Sequence, residues 1–142
     1  GNGQQIKTPQ GSGDTVTLGQ IFQKHGLDPD KRWAFKSDCE GCEYSLFTEE
    51  CMGCVDILKQ ADHIAIEFHL KGGGKNFFTT HNNLPDSFDK SEEWMKENFS
   101  KSHDIFLTSF EPNLRLKTYV LISQKVINEK ANLFWGELID GS

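Results

Sequence analysis

Two short stretches concentrate the side chains able to do chemistry. The first, RWAFKSDCEGCEYSLF (Arg32 to Phe47), sets Asp38, Glu40 and Glu43 among two cysteines, Cys39 and Cys42, directly behind a short apolar run. The second, HIAIEFHL (His63 to Leu70), ends in Glu67 and His69. Carboxylate oxygens with one imidazole suit a divalent cation of the Mg or Mn kind, or a pocket that holds an acceptor hydroxyl, and Asp38, Glu67 and His69 could supply that set. The same groups suit general-base work, with His69 or Asp38 taking a proton from a bound hydroxyl. A structural use competes: Glu40 and Glu43 can cap and charge the N-terminus of a following helix, where an anion is favoured by about 0.3 to 1 kcal/mol. Capping is the first reading for Glu43, and function the first reading for Asp38.

The cysteines form a second constellation, Cys39-x2-Cys42-x8-Cys51-x2-Cys54. Paired Cys-x2-Cys motifs are what a tetrahedral zinc site uses. The spacer argues against zinc: a helical EYSLFTEE would hold the pairs roughly 12 Å apart, whereas sulfurs around one zinc stand about 4 Å from each other. Two local disulfides and free, partly buried thiols are the other readings.

These residues need elements to position them. TVTLGQIFQKHGL places Leu18, Ile21, Phe22 and His25 at helical spacing, with Thr17 as N-cap and Gly26 as the stop. RWAFKSD reads as a strand that ends at Asp38, and HIAIEFHL as the clearest strand in the chain, with a mixed character that suits a buried parallel strand. Between them CEYSLFTEECMGCVDILKQA has helical spacing, broken near Gly53. FDKSEEWMKENFSKS reads as a helix with Ser91 as N-cap and Trp94, Met95 and Phe99 as its apolar side. HDIFLTSFEPN, KTYVLISQKV and NLFWGELID give three further strands, the last two expected to be antiparallel neighbours. Such alternation predicts an α/β layered sheet, parallel at first and antiparallel at its C-terminal end, with helices on its faces.

Composition narrows the function classes. At 142 residues the expectation is a flexible segment over 1–15 and one α/β domain over 16–142. A formal charge of -6 without a basic cluster argues against nucleic acid or an anionic membrane as partner. No apolar run approaches the roughly 20 residues that span a bilayer. The GSG at Gly11 to Gly13 has no strand before it, so it does not read as a phosphate loop. His25, His63, His81 and His103 lack acidic company and are read as surface or core-edge residues. The sequon at Asn98 matters only for a secreted chain, and the compartment stays open.

TLGQIFQKHGL, FKSDCEGCEYSLF and ADHIAIEFH together resemble the C-terminal half of the FkbM-type S-adenosylmethionine-dependent methyltransferases. Their hallmark is a strand ending Lys-x-Asp-x-Glu-Gly-x-Glu, followed by a strand that ends in an acidic residue. Lys36, Asp38, Glu40, Gly41 and Glu43 fill those places in order, and the likeness runs from about Thr17 to Asp140. The resemblance implies a Rossmann-like sheet of seven strands with the last inserted antiparallel, and methyl transfer to a hydroxyl acceptor, small or glycan-like. It implies Asp38, Glu67 and His69 on the acceptor side, with Glu40 and Gly41 toward the cofactor. The family's glycine-rich cofactor loop would lie before Gly1, so the chain alone is expected to be inactive, completed by an N-terminal half. The alternatives are a binding or assembly module that pairs, for instance as a homodimer, through an exposed sheet edge, and a small zinc-binding domain held by Cys39, Cys42, Cys51 and Cys54.

Overall fold

The computed structural model describes residues 16–39, 41–72 and 84–140. The N-terminal segment expected over 1–15, together with Glu40 and His81, lies outside the described residues.

The first helix, α1 (Leu18–Lys24), forms as its signals dictate. The Thr17 hydroxyl accepts from the Gln20 N–H while the Gln20 side chain accepts from the Thr17 N–H, a reciprocal cap. Gly26, at φ +60°, reverses the chain and lets the Leu27 N–H reach the Phe22 carbonyl at 2.8 Å. Strand β1 (Ala34–Ser37) follows, and Asp38 is the first residue past its end.

The next segment departs from the expected helix. Two 3-10 turns, Cys42–Phe47 and Glu49–Cys51, precede a single α-helical turn and a half, α2 (Cys54–Leu58). Extended backbone at Thr48, whose hydroxyl accepts from the Glu50 N–H, breaks the run once, and left-handed Gly53 (φ +79°) breaks it again. Disulfides Cys39–Cys42 and Cys51–Cys54 pin both ends locally.

Strand β2 (His63–His69) is the spine of the sheet. Ile64, Ile66 and Phe68 are fully buried on one face, as period-2 alternation requires. Helix α3 (Asp89–Phe99) sets Met95 and Phe99 into the same core. Its N-cap is Phe88; Ser91, expected there, lies inside the helix, where its hydroxyl donates to the Phe88 carbonyl at 2.8 Å. Trp94 stacks on Phe47 with centroids 5.0 Å apart, tying α3 to the first 3-10 turn.

Strands β3 (His103–Glu111) and β4 (Leu116–Ser123) form an antiparallel hairpin. The sheet order is β1-β2-β4-β3, with β1 parallel to β2, and β4 antiparallel to both β2 and β3. The expected third C-terminal strand, NLFWGELID, is instead part of helix α4 (Gln124–Asp140), so the antiparallel pair lies one element earlier than the sequence suggested. The helix starts directly where β4 ends, and the helix formers of QKVINEKANL carry it unbroken through Leu133, Phe134 and Trp135. The result is an α/β fold on a mixed four-stranded sheet. Among the described residues no helix is long and apolar enough to cross a membrane.

Candidate functional site

Register brings the acidic strand ends together. The parallel pairing of β1 and β2 runs from Ala34 opposite His63 to Ser37 opposite Ile66. One further step sets Asp38 beside Glu67, on the face opposite Ile64, Ile66 and Phe68, and alternation puts His69 on that same face. Ligand atoms of Asp38, Glu67 and His69 accordingly lie within 4.8 Å of one another. His69 Nε2 stands 3.3 Å from Glu67 Oε1 and 3.7 Å from Asp38 Oδ1. All three residues singled out from the sequence meet at the carboxyl ends of two adjacent parallel strands, where open α/β sheets place ligands.

Beneath them lies a residue whose part the sequence did not disclose. Glu43 is fully buried. Its Oε1 accepts from the backbone N–H of His69 and from Nδ1 of the same ring, both at 2.9 Å, and its Oε2 accepts from the Gly41 N–H at 2.7 Å. The expected capping role survives only in the Gly41 bond; the rest of the carboxylate holds His69. Because that carboxylate accepts, Nδ1 carries the proton and Nε2 faces Asp38 and Glu67. No local signal could have disclosed this pairing, since 26 residues separate the partners.

The surrounding groups support the same arrangement. The Tyr44 hydroxyl donates to the His69 carbonyl at 2.9 Å, and burial, helped by the Glu43 charge, pushes that phenol far above its ordinary pKa. Glu67 Oε2 accepts from the Thr118 hydroxyl at 3.3 Å, which leaves Oε1 turned toward the imidazole. Burial works against a charged His69, but the Glu43 hydrogen bond and the carboxylates of Glu43, Glu67 and Asp38 outweigh it and raise its pKa above the usual imidazole value.

Gly41 has a structural reason to be glycine. Its φ of +127° disfavours any side chain, and a Cβ there would meet Leu84 Cδ2 at 3.1 Å. Its place in the motif therefore does not by itself point to a cofactor. The four cysteines do not assemble one site: Cys39 joins Cys42 and Cys51 joins Cys54, and among the described residues the four sulfurs form no common cluster. The tetrahedral zinc arrangement needs all four thiolates together, so this geometry does not provide it.

Of the other histidines, His25 and His63 are exposed, as expected, whereas His103 is 1% exposed and sits inside the core edge. A second feature is an open groove of about 1010 Å³ beside β1, the outermost strand of the sheet among the described residues, with Leu18, Phe22, Trp33 and Phe35 among its walls and Asp38 at one end. No family model matches this sequence, and no characterised protein or solved structure matches it either.

Proposed function

We propose that this chain forms the acceptor-binding side of an S-adenosylmethionine-dependent methyltransferase of the FkbM kind, acting on a hydroxyl. The observation that carries the reading is the strand order. β4, the last strand in sequence, is inserted between β2 and β3 and runs antiparallel to both, while β1 and β2 are parallel. That is the ending implied by a Rossmann-like methyltransferase sheet whose final strand is inserted antiparallel. The cluster of Asp38, Glu67 and His69 at the carboxyl ends of β1 and β2 supports it from the side of chemistry.

The described residues do not fit the cofactor by themselves. In such folds a glycine-rich loop after the first strand and an acidic residue closing the second supply the main polar contacts, and among the described residues no strand precedes β1 to carry that pair. What these residues can do lies on the acceptor side. An incoming hydroxyl can donate to Asp38, whose side chain is 47% exposed at the mouth, and lose its proton to that carboxylate. Glu67 and the Glu43-anchored His69 form the inner wall, which fixes the direction of approach.

A second reading has its own observation: among the described residues β1 is a sheet edge lying along the apolar groove, the setting in which a strand recruits a partner or a second copy. One experiment separates the two. The product of the complete reading frame that encodes this chain is titrated calorimetrically with S-adenosylmethionine, then assayed for methyl transfer to alcohol and saccharide acceptors. The methyltransferase reading expects saturable heat, with Asp38→Asn keeping cofactor binding and slowing transfer by about 100-fold or more. Absence of heat at millimolar cofactor overturns it in favour of the assembly reading.

A further inference from the structure

The geometry points to a divalent-cation site at the mouth of the sheet, with Asp38, Glu67 and His69 Nε2 as ligands and Glu43 as the buried anchor of the imidazole. It goes beyond the methyl-transfer reading and does not depend on it. Three independent features of the cluster carry the inference.

The first is spacing. Around a cation with ligands at about 2.1 Å, neighbouring donors stand roughly 3 Å apart. The separations of 3.3 Å and 3.7 Å from Nε2 to the two carboxylates are already close to that, and the mouth is open on the Asp38 side. Small rotations of Asp38 would close the set while leaving positions for water or an acceptor oxygen.

The second is support from behind. Metal-bound histidines characteristically give their other ring N–H to a carboxylate, which fixes tautomer and direction. Glu43 does this for His69 from a fully buried position, itself fixed by the N–H groups of Gly41 and His69. The Thr118 hydroxyl does the same for Glu67, holding Oε2 so that Oε1 faces the imidazole. Two of the three ligands are thus oriented by residues on other elements.

The third is charge. Carboxylates of Asp38, Glu43 and Glu67 converge on one ring, and among the described residues no lysine or arginine pairs with any of them. Ligation through Nε2 needs a neutral His69, an imidazole only 3% exposed, so the carboxylates gathered around it face no counter-charge from the ring, and a divalent cation would offset two of their negative charges. Two carboxylates with one imidazole suit Mn²⁺, which accepts oxygen and nitrogen donors alike.

The test is titration of the metal-stripped, oxidised full chain with Mn²⁺, read by loss of the free-ion electron paramagnetic resonance signal. The expected result is saturable binding of about one equivalent, weakened at least about 10-fold in Asp38→Asn and in Glu67→Gln, and about 10-fold to 100-fold in Glu43→Gln. Asp38 is exposed, so its variant stays folded and remains informative if Glu43→Gln does not fold. Asp104→Asn, on an exposed strand position, serves as the control and keeps wild-type affinity. Absence of saturable binding overturns the site, as does wild-type affinity in Asp38→Asn and Glu67→Gln. Because Mn²⁺ binding is read without cofactor, a chain that holds the metal but gives no heat with S-adenosylmethionine sinks only the methyl-transfer reading. The converse result sinks only the metal site.

Discussion

Among the described residues two histidines are buried near ends of the same sheet, and their surroundings make opposite use of them. His69 closes β2 and His103 opens β3; they are 3% and 1% exposed. Around His103 the partners are neutral. Its Nε2 meets the Ala61 carbonyl at 2.7 Å, its Nδ1 meets the Ser102 hydroxyl at 2.8 Å, and the Phe99 ring packs edge-on with centroids 5.8 Å apart. Burial dominates there and pulls the pKa below the ordinary imidazole value; His63 pushes the same way, against the Ala61 bond and Asp62. Around His69 three carboxylates overcome the same burial and raise the pKa. Burial alone makes a histidine a structural bracket. Convergent carboxylates turn it into the centre of a site.

That contrast can be broken by substitution, most severely at Glu43. Glu43→Leu leaves the Gly41 and His69 backbone N–H groups and the His69 ring N–H without their buried acceptor. Loss of about 3 kcal/mol or more in denaturant unfolding is expected, since it strands several hydrogen-bond donors at once, two of them on the buried His69. A smaller loss would mean that the pocket relaxes or admits water.

His103→Leu comes next, at about 1 to 3 kcal/mol, because the Ala61 carbonyl loses its side-chain donor and the Ser102 hydroxyl keeps only the Phe99 carbonyl, while the apolar contact with Phe99 is kept. The same residue has a pH signature. Its folded pKa lies below the ordinary value of 6.5, so as pH falls below 6.5 the unfolded chain takes up a proton that the native state refuses. His103 therefore contributes stability that is present above that value and lost as pH falls toward the depressed folded value. Thermal midpoints followed from pH 7 downward should drop less steeply in His103→Gln than in the wild type. Equal slopes would show that His103 is not the group responsible.

Asp38→Asn should change least in stability, within about 0.5 kcal/mol, because its carboxylate is half exposed at the mouth of the cluster. A near-silent effect on unfolding, beside a clear loss of Mn²⁺ binding, would separate the role of Asp38 from that of Glu43 beneath it.

Much of this was legible in the chain itself, for local reasons. Thr17 and Gln20 announced the start of α1, and Gly26 its end, because capping acts over three or four residues. Period-2 alternation gave β2 and put Glu67 and His69 on one face. The Cys-x2-Cys spacing admitted local closure, and both pairs close that way. The C-terminal helix was misread as a strand because Leu133, Phe134 and Trp135 look like a buried strand when separated from the helix formers before them. The helix between the two cysteine pairs broke into 3-10 turns because Thr48 and Gly53 compete with it locally.

The sequence by itself determined which residues stand at strand ends, since alternation and turn chemistry act between near neighbours. Only the tertiary structure decided what those ends do. The parallel register of β1 on β2 set Asp38 beside Glu67, and the fold carried Glu43 under a ring 26 residues away. It also brought the Ala61 carbonyl to His103 across 42 residues, leaving one histidine among neutral acceptors and the other among charges. Partners so distant along the chain leave no periodic trace in it. Their meeting is fixed by strand pairing and core packing, and with it the difference between a bracket and a site.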